Sequence, residues 1–217
     1  MHDLVIYGAG GLGGEVAEMI RRINARHRFW NFLGFIDDES RSDRVWQEYG
    51  VIGGQEFVAN FSKPLDVVLA ISAPQSKEAL YNVLKKFSFI HFPVIIDIDT
   101  MLSSSVILNE GVVISHFCSL SVGVSLGVCT FLNTGTHVGH YTSLGDFCSV
   151  MPNSDISGDT QIGEGVVIGA GASILQGKKV GSNSIVGMGS VVLNDVPANC
   201  TVLGNPARKF WMKGEPK

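Results

Sequence analysis

Two places in this chain hold side chains whose types and spacing could do chemistry. In the stretch NTGTHVGHYTSLGD, His137 and His140 stand close together, with Asp155 eighteen residues after His137. A histidine titrating near neutrality can take a proton from an amine or hydroxyl as that group attacks an acyl carbon. An isolated surface histidine is the competing reading of His140. The second place is Gly8-Ala9-Gly10-Gly11-Leu12-Gly13, which matches G-x-G-x-x-G and is followed at a fitting distance by Asp37 and Asp38. Backbone N–H groups at a glycine turn that opens a helix attract an anion, most often a phosphate. The two acids suit the hydroxyls of a ribose or the edge of a base, although a solvated turn would also carry them.

The elements that position the histidines are written in a six-residue period. From Leu102 to Val192 every sixth residue is Leu, Ile or Val, and four places after each sits a small or β-branched residue, interrupted at Lys178. A hexapeptide period marks a parallel β-helix, in which each short strand forms one side of a coil. Three sides of six residues give about eighteen per coil, so Leu102, Leu120, Val138, Ile156, Ile174 and Val192 are expected to stack in one interior ladder. The same arithmetic makes His137 and Asp155 neighbours on adjacent coils, roughly 5 Å apart. It puts Gly158 beside His140, where a small neighbour would leave room for a substrate. Asp155 could orient His137 or reach diagonally to His140. His116 lies more than a coil away, and the spacing 116, 137, 140 does not suit a three-histidine metal site; no metal is expected.

Ahead of the hexads the pattern alternates. Residues 3–7 (DLVIY), 32–39 (FLGFIDDE), 66–71 (DVVLAI) and 89–96 read as strands. Val16, Met19, Ile20 and Ile23 mark one helix, and 77–87 reads as another. This is βαβ order, hence a small parallel sheet with helices on its faces. A dehydrogenase is a tempting inference from the glycine turn. Only about 95 residues precede the β-helix, though, which is room for one mononucleotide-binding half and not two. The segment around His91-Phe92-Pro93 is expected to hand the chain over to the first coil.

The 217 residues carry a formal charge of −4, with 45% hydrophobic and 17% charged residues. That describes a folded protein without a basic surface for nucleic acid. No apolar run approaches the ~20 residues that span a bilayer. The N-terminus opens on a strand-like LVIYGAG with no signal-peptide pattern, and the four cysteines show no metal or redox spacing. The expected compartment is the cytoplasm, with no membrane partner.

The order GAGGLG, then FIDD, then hexads carrying NTGTHVGHYTSLGD, then a closing GNPARK, resembles the sugar acyltransferase family over essentially the whole chain. That family includes sialic acid O-acetyltransferases and N-acetyltransferases of nucleotide-linked 4-amino-4,6-dideoxysugars. The resemblance implies a Rossmann-like α/β domain over residues 1–97 that holds a nucleotide sugar. It implies an all-β left-handed parallel β-helix over residues 98–217 with a C-terminal tail, assembled as a homotrimer with acetyl-coenzyme A between neighbouring β-helices. Carried over by position, His140 is the general base. Gly11, Leu12, Gly13, Asp37, Asp38 and Ala73 are contacts to the nucleotide sugar. Ala170 and Met188 are contacts to coenzyme A, and Ser149 replaces a histidine that lies near the coenzyme in some members. Arg208 and Lys209 are placed by their charge near the coenzyme phosphates. Members commonly carry an acid directly after the histidine, where this chain has Tyr141, which leaves Asp155 and Asp146 as candidates to support His140. The expected reaction is direct acetyl transfer to a sugar amine. O-acetylation and an inactive scaffold are the alternatives.

Overall fold

The structure, a computed structural model, describes residues 1–38 and 49–210. It divides into two compact units, Met1–Ile98 and Asp99–Lys217.

In the first unit the chain runs β1 (His2–Tyr7), α1 (Gly11–Arg26), β2 (Trp30–Ile36), β3 (Val51–Gly53), α2 (Gln55–Ala59), β4 (Leu65–Leu69), α3 (Pro74–Leu84) and β5 (Ile90–His91). The five strands lie in the order β3-β2-β1-β4-β5, all parallel. Leu4, Val5 and Ile6 of β1 are fully buried, as befits a central strand covered on both faces. Val16, Met19 and Ile20 form the buried stripe of α1. The glycine turn has its own steric reasons. Gly8 sits at φ +112°, and a Cβ there would come within 2.6 Å of the Ala70 carbonyl oxygen. A Cβ on Gly13 would strike the carbonyl of Gly8, so this glycine lets α1 pack close to β1. The sequence reading omits β3 and α2, which are short. It also takes residues 89–96 as one strand, which the structure breaks at Phe92–Val94, leaving β5 in the first sheet. Glu39, read as the end of the second strand, lies outside the described residues.

The second unit is a parallel β-helix of two-residue strands. Leu102, Leu120, Val138, Ile156, Ile174 and Val192 pair in direct register. From Ile114 onward every aliphatic of the hexad is buried, whereas Leu102 of the first rung remains 40% exposed. At the corners, every sixth residue from Gly111 to Gly189 has positive φ, including Phe117, Cys129, Tyr141, Phe147, Asn153, Asp159 and Asn183. Glycine, Asn and Asp take this left-handed conformation with least strain. A bulky residue there carries about 1 kcal/mol or more.

The small inward residues tie one coil to the next. Thr130 Oγ1 donates to the Gly145 carbonyl at 2.9 Å, Thr142 Oγ1 to Ser157 at 3.0 Å and Ser154 Oγ to Gly169 at 3.1 Å. These hydroxyls are fully buried and satisfied, which is why serine and threonine are tolerated in an otherwise apolar lining. After Val192 the chain continues along the prism. Thr201–Leu203 adds a rung beside Ile185–Val186, and Arg208–Lys209 folds back antiparallel on it. Phe210, the last described residue, is 46% exposed and donates its N–H to the Thr201 carbonyl.

Candidate active site

In the first unit, β1, β2 and β4 end around a cavity of about 570 Å³. The strand order reverses between β1 and β4, and open parallel sheets bind ligands outside the carboxyl ends of strands at such a point. Gly11, Leu12, Asp37, Asp38 and Ala73 all line it. Gly13 does not; it is buried against Gly8. At Gly11 a Cβ would meet nothing within 4 Å, so no packing within the protein demands glycine there. Gly10, the N-cap of α1, offers no side-chain cap and the first turn holds no acid. The N–H groups of that turn therefore lack acidic competition for an anionic ligand.

The two acids have different jobs. Asp37 Oδ2 accepts the Ala9 N–H at 2.8 Å and fixes the glycine turn to the end of β2. Asp38 accepts the Tyr7 hydroxyl at 2.6 Å on Oδ2 and the Gln55 N–H at 2.9 Å on Oδ1, so it builds the wall. Burial, and then the bond to Asp38, push the Tyr7 phenol well above its ordinary range and keep it a donor. Tyr7, Ser72 and Ser76 also line the cavity. The sequence reading missed them, although Tyr7 ends and Ser72 follows a strand it had identified; Ser76 lies in the first turn of α3.

On the β-helix, His137 Nδ1 lies 2.8 Å from Asp155 Oδ1, with about half of each side chain exposed. Asp155 therefore belongs to His137 and not to His140. Asp146, the other candidate, accepts the Val128 N–H at 2.7 Å. His140 leans the other way from its neighbour. Its ring covers Gly158 of the next coil, where a Cβ would fall within 2.6 Å of Nε2, whereas the Tyr141 ring covers Gly123 of the preceding coil. The space at Gly158 is thus filled by the imidazole itself and not left for a substrate. Ser157, just before that glycine, has its carbonyl held by Thr142 Oγ1 and by Thr160 Oγ1 at 2.7 Å. The floor beneath the imidazole is pinned from two coils.

Of the coenzyme candidates, Ala170 and Met188 stand on successive coils, linked by the Gly189 N–H donated to the Ala170 carbonyl at 2.8 Å. Met188 is well exposed. Arg208 and Lys209 are exposed beside a second cavity of about 320 Å³. Ser149 is fully buried in the ladder between Phe131 and Val167, where no coenzyme can touch it. Among the described residues no group of three or more His, Cys, Asp or Glu is placed to hold a metal.

Residues 3–84 match the PglD N-terminal domain, and residues 141–176 match the bacterial transferase hexapeptide repeat. Both units are thus similar to parts of the hexapeptide-repeat sugar acyltransferases. No curated protein matches it, but solved structures do. The acetyltransferase domain of PglB from Neisseria gonorrhoeae, solved with acetyl coenzyme A, is 28% identical. The alignment covers 96% of this chain and 99% of that one with a TM-score of 0.87. PerB from Caulobacter crescentus, solved with CoA and GDP-perosamine, is 25% identical over 97% of this chain and 98% of that one, at a TM-score of 0.86. WeeI from Acinetobacter baumannii is 28% identical over 97% of this chain and all of the other, also at 0.86.

Proposed function

We propose that this acyltransferase moves the acetyl group of acetyl-coenzyme A to the amine of a nucleotide-linked 4-amino-4,6-dideoxysugar. The observation that carries the reading is one chain joining a nucleotide-sized cavity at a sheet switch point to a histidine held over glycine on a hexapeptide β-helix. Full-length likeness to proteins solved with acetyl coenzyme A, or with CoA and GDP-perosamine, supports the choice of donor and acceptor class.

The first unit binds the nucleotide: its phosphates at the Gly10–Leu12 turn, its ribose or base at Asp37. Coenzyme A lies along Ala170 and Met188, with its phosphates toward Arg208 and Lys209. The sugar amine attacks the thioester carbonyl carbon and a C–N bond forms. His140 Nε2 takes the amine proton, the C–S bond breaks, and the departing thiolate recovers that proton from the imidazolium. The thioester is already activated, so no covalent enzyme intermediate is required. The working unit is a homotrimer. The four cysteines are joined in no disulfide, which suits a reducing compartment such as the cytoplasm. Among the described residues no helix is long and apolar enough to cross a membrane.

The test is thiol release from acetyl-coenzyme A with a panel of nucleotide-linked 4-amino sugars. Turnover on one of them should fall by roughly 10²–10⁴-fold in His140→Ala. Undiminished turnover in that variant would move the base to His137 with Asp155. Turnover confined to hydroxyl acceptors would replace N- by O-acetylation.

A further inference from the structure

Nδ1 of His140 is buried and has no hydrogen-bond partner, although 44% of the side chain is exposed. A buried imidazole nitrogen without a partner calls for an explanation. The nearest charge is Asp159, whose Oδ2 lies 3.7 Å from that nitrogen. The remaining neighbours offer no substitute. On the preceding coil are Val122 and Gly123, which do not ionise. On its own turn Tyr141 directs its ring over Gly123, and Asp155 on the neighbouring strand is taken by His137.

We propose that Asp159 is the positioning residue for His140, standing in from the next coil for the acid missing at Tyr141. Three features fit the task. Asp159 occupies a left-handed corner at φ +55°, a conformation aspartate accepts readily. Its N–H donates to the His140 carbonyl at 2.7 Å, which ties the two backbones together. Gln176, one coil further on, donates to Asp159 Oδ2 at 3.1 Å and fixes the carboxylate. A carboxylate facing Nδ1 favours the tautomer with its proton on that nitrogen, leaving Nε2 unprotonated toward the acceptor. When Nε2 gains a proton, the same carboxylate faces the imidazolium, and the 3.7 Å gap closes to a charge-assisted hydrogen bond. The Tyr141 backbone shares the left-handed corner conformation, which lays its ring over Gly123 and in edge contact with the imidazole, where a phenol supplies no carboxylate to Nδ1.

The catalytic half of this inference rests on the proposed acetyl transfer; the tautomer half does not. Asp159→Asn keeps size and corner conformation while removing the charge. In the free protein, ¹⁵N-resolved NMR of the His140 ring should show the Nδ1–H tautomer in the wild type. In the variant it should show a mixed or reversed tautomer. In turnover assays kcat should fall roughly tenfold or more, with both KM values held within about twofold. Asp159→Glu should restore part of the loss. An unchanged tautomer in a folded Asp159→Asn overturns the proposal, as does an unchanged kcat. If no acceptor is ever found, the NMR result on free protein still decides the role of Asp159.

Discussion

The imidazole of His140 occupies the space that a side chain at Gly158 would need, one coil along the β-helix. Gly158 is not held at a positive φ, and the three atoms nearest to an added Cβ all belong to the ring above it. Gly158→Ala should therefore fold as well as the wild type and displace the histidine. A displacement of about 1 Å costs on the order of 10²-fold in rate. Thermal melting and kcat measured together check this, and a fully active, stable variant would refute the placement.

The glycines of the first unit should separate in the same way. Gly11→Ala enters open space and should leave the melting temperature unchanged while weakening nucleoside diphosphate binding, by calorimetry, about tenfold. Gly13→Ala drives a methyl into the Gly8 carbonyl and should destabilise the unit itself. Equal binding by wild type and Gly11→Ala would remove the turn from the ligand site.

The interior ladder predicts a gradient. Ile156 is fully buried in mid-stack, and Ile156→Ala should cost about 2–5 kcal/mol in denaturant unfolding. Leu102, on the same ladder but 40% exposed at its open end, should cost about 1 kcal/mol or less when cut to alanine.

Tyr7 gives a pH signature. Its folded titration point is raised above the ordinary ~10. The stabilisation from its bond to Asp38 is therefore complete below about pH 10 and is lost only as pH rises through the folded value. An absorbance titration should show one of the four tyrosines ionising late or only on unfolding. Tyr7→Phe should lack that fraction.

How far the sequence was legible follows from what sets each feature. The β-helix could be read because burial of one residue in six, repeated as far as Val192, leaves a periodic trace. Stacking by eighteen then found the His137–Asp155 pair. It did not find Asp159, because that neighbour of His140 sits one place beyond the column, where a left-handed corner swings the chain back. Nor could it show that the imidazole fills the gap at Gly158, since a rotamer has no period. In the first unit Asp38 looked like a ligand contact by type and position. Tyr7 and Gln55 have already claimed its oxygens. Strands as short as Val51–Gly53 leave too few residues for alternation to show.

The column of left-handed corners from Gly111 to Gly189 gives the prism an angular address system. A single inserted residue between two corners would rotate every later side chain one place, turning lining into surface and surface into lining. A block of about eighteen would instead add one storey of roughly 4.8 Å and leave every bearing unchanged. Length in this fold is therefore quantised. Features such as the His140 corner and the Met188 edge can move apart along the axis by whole storeys, but they cannot turn out of alignment.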